Sequence, residues 1–153
     1  MPGARYSIEY GHPAREVFAV LADFSNDPRW RANVLEMIPQ GNPGDLGGIW
    51  SRQVEVRQVP GQKIRTEAVI TAFEQDRTIS VRRASGPVRP EATYTLTDLG
   101  QRTRVDFKLD VKLEGAKVLL TPLVALMLAV VVSPVLPGDF RRLGSYLDSR
   151  PSG

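Results

Sequence analysis

The sequence predicts an α+β fold in which a seven-stranded antiparallel sheet curves around a long C-terminal helix, with two short helices after the first strand. Charged and apolar residues alternate strictly from Arg104 to Leu113, so a strand there has one wet and one dry face. Breaks rich in glycine and proline divide the middle of the chain into further segments of period two. The run from Val118 to Gly138 carries no charge, and it is long and apolar enough to cover the dry face.

The first strand and the two short helices occupy the N-terminal part of the chain. Residues 6–10 form the predicted first strand, which ends at Gly11. Pro13 can then open a helix, because its missing N–H costs nothing in a first turn. A dense turn cluster at 23–28 ends that helix, and residues 29–33 can form a second short helix. Three apolar residues at helical spacing predict the buried face of the first helix: Val17, Phe18 and Leu21.

Six further strands are expected between Val34 and Leu113, because period two continues there between the turn signals. Consecutive strands with short connections pair as antiparallel hairpins. One ligand-binding domain is therefore predicted over residues 1–148, followed by a disordered tail at 149–153. The predicted strands cover about 34–39, 48–59, 62–73, 78–84, 88–98 and 102–113.

The uncharged run predicts a kinked terminal helix. It begins near Ala116 and is apolar on all sides through Val132, and Pro134 and Pro137 then bend or break it before 139–147. The run is long enough to span a bilayer. The prolines interrupt it, however, and the sheet would lose its cover, so contact with a membrane surface or with a second copy in a homodimer is favoured.

Composition excludes several classes of function. The 153 residues include no cysteine and one histidine, His12, which removes thiol catalysis, disulfides and the usual zinc patterns, so neither a metal nor a cofactor is expected. The net charge of +3 is spread among acidic residues, which argues against nucleic-acid binding. The N-terminus lacks the pattern of a signal peptide, so a cytoplasmic location is expected.

Several motifs resemble the START and birch-pollen-allergen-like superfamily, also called SRPBCC. Residues 13–18, residues 21–30 and the approach to the last strand at 100–106 are similar to its polyketide cyclase/dehydratase and lipid-transport type. The resemblance implies a helix-grip fold around a pocket for a hydrophobic small molecule. It does not imply one chemistry, because the superfamily includes cyclases, carriers and receptors. Its iron-binding dioxygenases need a histidine-rich motif that a lone histidine cannot supply.

Arg52 and Arg83 are the two charged residues that the predicted strand phases turn toward the pocket. Each shares its phase with apolar neighbours in its own strand. A buried guanidinium stays charged, so either arginine can bind a carboxylate, enolate or phenolate of a ligand as a candidate catalytic group. The alternative is that each reaches water, or pairs with Glu55 or Glu91.

Uncharged candidates complete the predicted pocket. Tyr94 should face it, with a hydroxyl that orients a ligand or donates a proton; the alternative is an ordinary core tyrosine bonded to a carbonyl. Thr66 is a weaker candidate, because its hydroxyl can bind a ligand or simply satisfy the backbone. Trp30, Trp50 and Met127 are expected as apolar walls that contact the ligand; the alternative for either tryptophan is an ordinary core residue.

The remaining acid–base residues are not favoured as catalysts. Asp23 and Asp27 lie in capping contexts, and Glu67 falls on the wet face of its strand. His12 precedes a helix-opening proline, where it is expected to be exposed, and no Ser-His-Asp set can be assembled around it.

Three functions remain open from the sequence. The first is a polyketide cyclase-like enzyme that folds a bound chain and promotes intramolecular ring closure. The second is a carrier or sensor that binds a lipid or polyketide without changing it. The third is an interaction module whose pocket is filled by side chains and whose uncharged helix is the working surface.

Overall fold

The strands form one antiparallel sheet, as predicted. The computed structural model describes residues 3–40, 52–84 and 89–150. The strand order is β1-β7-β6-β5-β4-β3-β2, so every neighbour except β1 and β7 is consecutive in the chain. The strands are β1 Gly3–Tyr10, β2 Val34–Gln40, β3 Arg52–Val59, β4 Gln62–Glu74, β5 Thr78–Arg83, β6 Glu91–Asp98 and β7 Thr103–Asp110.

The helices lie in two groups, one after β1 and one at the C-terminal end of the described chain. Helix α1 starts directly after Pro13, whose extended backbone precedes the first turn. The α-helices are α1 Ala14–Ala22, α2 Asp27–Trp30, α3 Thr121–Met127 and α4 Leu136–Ser149. Short 3₁₀ segments cover Phe24–Asn26 and Gly115–Leu120, and a π-helical segment covers Leu128–Val132.

Some predicted boundaries were wrong by two or three residues. Strand β1 begins at Gly3, because pairing with β7 continues to Asp110. Helix α2 begins at Asp27 and not at 29, since a proline is tolerated in the first turn. The predicted end of the domain at 148 differs by one residue, because Ser149 still belongs to α4.

The core lies between the sheet and the helices α1, α2 and α4. Phe140 of α4 is its centre, with ring centroids 5.4 to 6.3 Å from those of four aromatic residues on other elements. Helix α4 also lies close to β1, where a Cβ on Gly144 would lie 3.1 Å from Tyr10 Cε1. The Tyr10 hydroxyl donates a hydrogen bond of 2.7 Å to the Phe140 carbonyl. The four aromatic residues around Phe140 are Tyr6, Trp30, Tyr94 and Phe107.

The uncharged run does not cover the sheet over most of its length, which corrects the prediction. Of residues 118–138, only Leu128 and Leu136 are buried, and Leu119 is 85% exposed. The sheet is covered instead by α4, whose apolar side chains form one stripe. A helical segment that is apolar on all sides, but packs against other elements on one side only, leaves its other apolar side chains exposed.

The exposed apolar segment, Gly115–Val132, is continuous helical structure of mixed type. It has 18 residues, a mean hydropathy of 2.3 and only 6% of its residues buried. By length and composition alone it could cross a membrane. The chain then turns at 133–135, where the predicted break at Pro134 occurs, before α4 begins.

Candidate functional site

A cavity of about 470 Å³ lies between the concave face of the sheet and the helical layer. Strands β2 to β7 supply one wall, and α2, α3, the π-helical segment and the start of α4 supply the other. Pockets of this size commonly hold small organic molecules. Most of the lining is apolar, so the few polar side chains in it decide which ligand chemistry is accepted.

The register of β4, β5 and β6 turns the predicted residues toward this cavity. Ala68 pairs with Arg83 across β4 and β5, and Thr66 lies two residues before Ala68 on the same face. Tyr94 lies two residues after Ala92 on β6, and all of these side chains line the cavity. The alternation of side chains along β4, β5 and β6 therefore predicted correctly which of them face the cavity.

Strand β3 has the opposite phase, and the inward placement predicted for Arg52 is wrong. Gln53, Glu55 and Arg57 line the cavity. The side chain of Arg52 is 61% exposed and lies 3.9 Å from Glu67. The prediction assumed that the valines of β3 mark the core face. The polar face is inside instead, because charged partners on other elements stabilise it.

Five charged residues form what we call the arginine cluster: Asp27, Arg31, Glu55, Arg57 and Arg83. Arg31 Nη1 donates to Asp27 Oδ2 at 3.0 Å and to Glu55 Oε2 at 2.9 Å. The other oxygen of Glu55 lies 2.7 Å from Arg57 Nη2 and 3.4 Å from Arg83 Nη2. Glu55 is therefore the carboxylate that holds three guanidinium groups against the cavity wall.

Burial and these pairings shift the pKa values of the cluster. Burial alone would raise the pKa of Glu55, but Arg31, Arg57 and Arg83 outweigh it and lower the pKa to about 2. Burial raises the pKa of Asp27 to about 7 in spite of Arg31. Burial lowers the pKa of Arg83, against the effect of Glu55. The cluster thus carries excess positive charge, and Asp27 can exchange a proton near neutral pH.

Tyr94 lies on the same cavity wall. Its ring centroid is 5.2 Å from that of Phe107 and 6.4 Å from that of Trp30. Burial raises the pKa of the Tyr94 phenol, so the hydroxyl stays protonated and can donate a hydrogen bond. Within the described part of the chain it has no hydrogen-bond partner, which leaves that donor available to a ligand.

The cavity also contains buried polar atoms without partners. They belong to Trp30, Gln53 and Thr66, and all three side chains line the cavity. A buried polar group without a hydrogen bond costs about 1–3 kcal/mol, so such groups call for an explanation.

The structure thus brings together most of the residues singled out from the sequence. Arg83, Tyr94, Thr66, Trp30 and Met127 line one cavity, whereas Arg52 does not. The predicted ligand contact Trp50 lies outside the described residues. The roles of the cavity residues in binding or catalysis stay predictions.

Sequence analysis did not single out several polar residues of the cavity as site residues, among them Asp27, Arg31, Gln53, Glu55 and Arg57. Asp27 was assigned to a cap, but its carboxylate binds Arg31. One signal was present: β3 alternates Gln-Val-Glu-Val-Arg, so its polar residues all share one face. His12 lies apart from this cavity, bonded to Glu16 and Asp148.

Solved structures share this fold. The Zhui aromatase/cyclase from Streptomyces sp. R1128 is 17% identical, with a TM-score of 0.75 and coverage of 97% of this chain and 94% of that one. A START superfamily protein from Mycobacterium smegmatis is 16% identical, with a TM-score of 0.73 and coverage of 95% and 97%. The di-domain ARO/CYC BexL is 15% identical, with a TM-score of 0.74; the match covers 97% of this chain and 47% of BexL.

The family described as polyketide cyclase / dehydrase and lipid transport matches residues 1–148. No curated protein is similar enough to count as a match. At identities below 20% the solved structures establish the fold, and the family match extends over nearly the whole chain. The chain therefore belongs to the polyketide cyclase/dehydrase and lipid transport family, among the ligand-binding proteins of the SRPBCC superfamily.

Proposed function

We propose that the protein is a cyclase-like enzyme that folds a bound chain of carbonyl groups and promotes its intramolecular ring closure. One observation carries the proposal: the arginine cluster and the Tyr94 hydroxyl lie on the wall of one mainly apolar cavity. An apolar cavity can hold a flexible chain in a folded form. Cationic groups and hydrogen-bond donors on its wall can stabilise negative charge that develops on oxygen.

Ring closure of this kind needs little more than position and charge stabilisation. A carbon between two carbonyl groups loses a proton, and the resulting enolate attacks a distant carbonyl carbon of the same chain. The new C–C bond turns that carbonyl oxygen into an alkoxide, which takes up a proton; loss of water follows. Holding the two carbons together can contribute about 7–11 kcal/mol to lowering the barrier.

The cluster residues have distinct roles in this proposal. Asp27 accepts the proton from carbon and returns it to the alkoxide, because a pKa of about 7 suits transfer in both directions. Arg83 and Tyr94 stabilise the enolate oxygen, one by its charge and the other by its hydroxyl. Glu55 keeps the arginines in place.

Turnover of nonane-2,4,6,8-tetraone tests the proposal, because this linear tetraketone can close to an aromatic ring with loss of one water. We expect the protein to accelerate formation of the aromatic product, and Tyr94→Phe to lower the rate about tenfold, the effect of one hydrogen bond. Arg52→Ala is the control, since Arg52 lies on the exposed face. Product formation that no concentration of protein accelerates would refute the enzymatic proposal.

A carrier function is the second candidate, and the exposed apolar segment favours it. Large side chains of Gly115–Val132 face solvent, while Met127 and Leu128 of the same segment line the cavity. An apolar ligand leaving the cavity beside this segment would enter a lipid surface without crossing water. The carrier would return its ligand unchanged.

Vesicle binding tests the carrier proposal. Phosphatidylcholine vesicles should sediment the protein, and Leu119→Gln combined with Leu126→Gln should weaken this binding at least tenfold, since each leucine gains from burial in lipid. Leu99→Gln is the matched control, because Leu99 is exposed on the hairpin after β6. A dimer by analytical ultracentrifugation that the double variant dissociates, with no vesicle binding, would assign this surface to a second copy instead.

A further inference from the structure

Four buried side-chain atoms have no hydrogen-bond partner in the described structure, and they all belong to the cavity wall. They are Gln53 Oε1, Gln53 Nε2, Thr66 Oγ1 and Trp30 Nε1. Gln53 is the most informative of them, because its side chain is 0% exposed and both ends of its amide are unpaired. A buried amide that satisfies neither its donor nor its acceptor is a group whose partner comes from elsewhere.

Gln53 and Thr66 lie next to each other on the sheet. Gln53 pairs with Ala68 across β3 and β4, and Thr66 lies two residues before Ala68 on the same face. Diagonal neighbours of this kind are about 7–8 Å apart at the backbone, within reach of a glutamine side chain. Ala68, directly opposite Gln53, lines the same cavity.

The arginine cluster cannot satisfy this pair. Glu55, the residue opposite Thr66, already accepts bonds from Arg31 and Arg57 and lies within 3.4 Å of Arg83. The guanidinium groups of Arg31, Arg57 and Arg83 are directed at the carboxylate oxygens of Glu55. The wall therefore has two different parts, a cationic one at the cluster and a neutral one at Gln53 and Thr66.

We propose that Gln53 and Thr66 form a neutral subsite that selects a ligand group with a hydrogen-bond donor and an acceptor side by side. One edge of a glutamine amide presents an N–H donor beside the C=O acceptor, so its complement is a group of the same kind. Lactams, carboxamides and enolised 1,3-dicarbonyls fit this description, whereas ionised carboxylates and hydrocarbons do not. The inference deepens the proposed function, since it needs a ligand in the same cavity, but it does not depend on turnover.

A pair of probes that differ in one donor tests the subsite. Phenanthridin-6(5H)-one carries an N–H and a C=O side by side on an apolar tricyclic body, and 5-methylphenanthridin-6-one lacks the N–H. Fluorescence titration should show at least tenfold tighter binding of the first probe, because the methylated form leaves a Gln53 bond unmade.

Gln53→Leu separates recognition from size. Leucine fills a similar volume without polar atoms, so the preference between the probes should fall to less than twofold, and the unfolding midpoint should stay the same or rise. Thr66→Val should reduce the preference severalfold and serves as the second variant if Gln53→Leu does not fold. Gln62→Leu, the same substitution at an exposed site, should leave the preference unchanged.

Three results would overturn the subsite. Equal binding of the two probes to the wild-type protein would show that water satisfies Gln53. If the Gln53→Leu variant still prefers the probe with the N–H, the preference is caused by the size of the added methyl group and not by Gln53. Occupation of the cavity by 1-anilinonaphthalene-8-sulfonate but by neither probe would contradict the predicted ligand class. The proposed enzyme fails separately, if the tetraketone is not turned over while the probe preference is intact.

Discussion

Replacing Glu55 with glutamine should lower the free energy of unfolding by about 3–5 kcal/mol at pH 7, the usual cost of removing one partner from a buried ion pair. The substitution leaves Arg31, Arg57 and Arg83 beside one another without their shared carboxylate. Urea denaturation of both proteins measures the difference. Glu74→Gln removes an exposed ion pair with Arg77 and should cost less than about 1 kcal/mol. Equal losses in the two variants would contradict this account of the cluster.

The two carboxylates of the cluster should give stability opposite dependences on pH. The folded pKa of Glu55, about 2, lies below its ordinary 4.5, so its contribution is complete above about pH 4.5 and is lost as pH falls toward 2. The folded pKa of Asp27, about 7, lies above its ordinary 3.8, so its ionisation opposes folding increasingly as pH rises from 4 to 7. Glu55→Gln should therefore flatten the acid side of the stability profile. An unchanged acid side would mean that other carboxylates determine it.

Asp27→Asn should lower the rate of ring closure by about 10²–10⁴-fold, the usual contribution of a positioned proton-transfer group. In the wild-type protein the rate should rise with pH through about 7, as Asp27 loses its proton and becomes a base. Asparagine keeps the shape but cannot take up a proton, so the variant should lose this dependence. A pH–rate profile with nonane-2,4,6,8-tetraone measures both effects.

Stability measurements separate this loss from misfolding. Asp27→Asn removes an ionised group that opposes folding above pH 7, so the variant should be no less stable at pH 8 where Glu55 still holds Arg31. Asp23→Asn is the control, because Asp23 caps the 3₁₀ turn through Ser25 at the exposed surface. A variant at position 27 that kept the wild-type rate and pH profile would exclude this residue as the base.

The antiparallel sheet was predictable because its signal is local. Alternation along β7 and the turn residues between strands identified the strands to within a few residues, and consecutive strands paired as hairpins. The same alternation turned Arg83 and Tyr94 toward the cavity correctly. These features depend on neighbours in sequence, which one chain is enough to show.

The arginine cluster was not predictable by the same reasoning, because its contacts are long-range. Glu55 is 24 residues from Arg31 and 28 from Arg83, and it joins β3 to β5 and to the residue that follows α2. Valine is usually buried, so the sequence analysis assigned the valines of β3 to the cavity face. The polar residues of β3 line the cavity instead. The exposed apolar segment misled for a related reason: composition shows that a segment is apolar, but not that the amphipathic α4 already covers the sheet.

Trp30 gives the cavity an optical reporter of its own. Its indole packs near Tyr94 and Phe140, and its unpaired N–H belongs to the cavity wall. Indole emission depends on hydrogen bonding and on the polarity around the ring, so a ligand that enters the cavity changes the signal without any attached dye. The chain has one other tryptophan, Trp50, and replacing it with phenylalanine would assign the emission to Trp30. Ligand entry and exit can thus be timed in the protein's own spectrum.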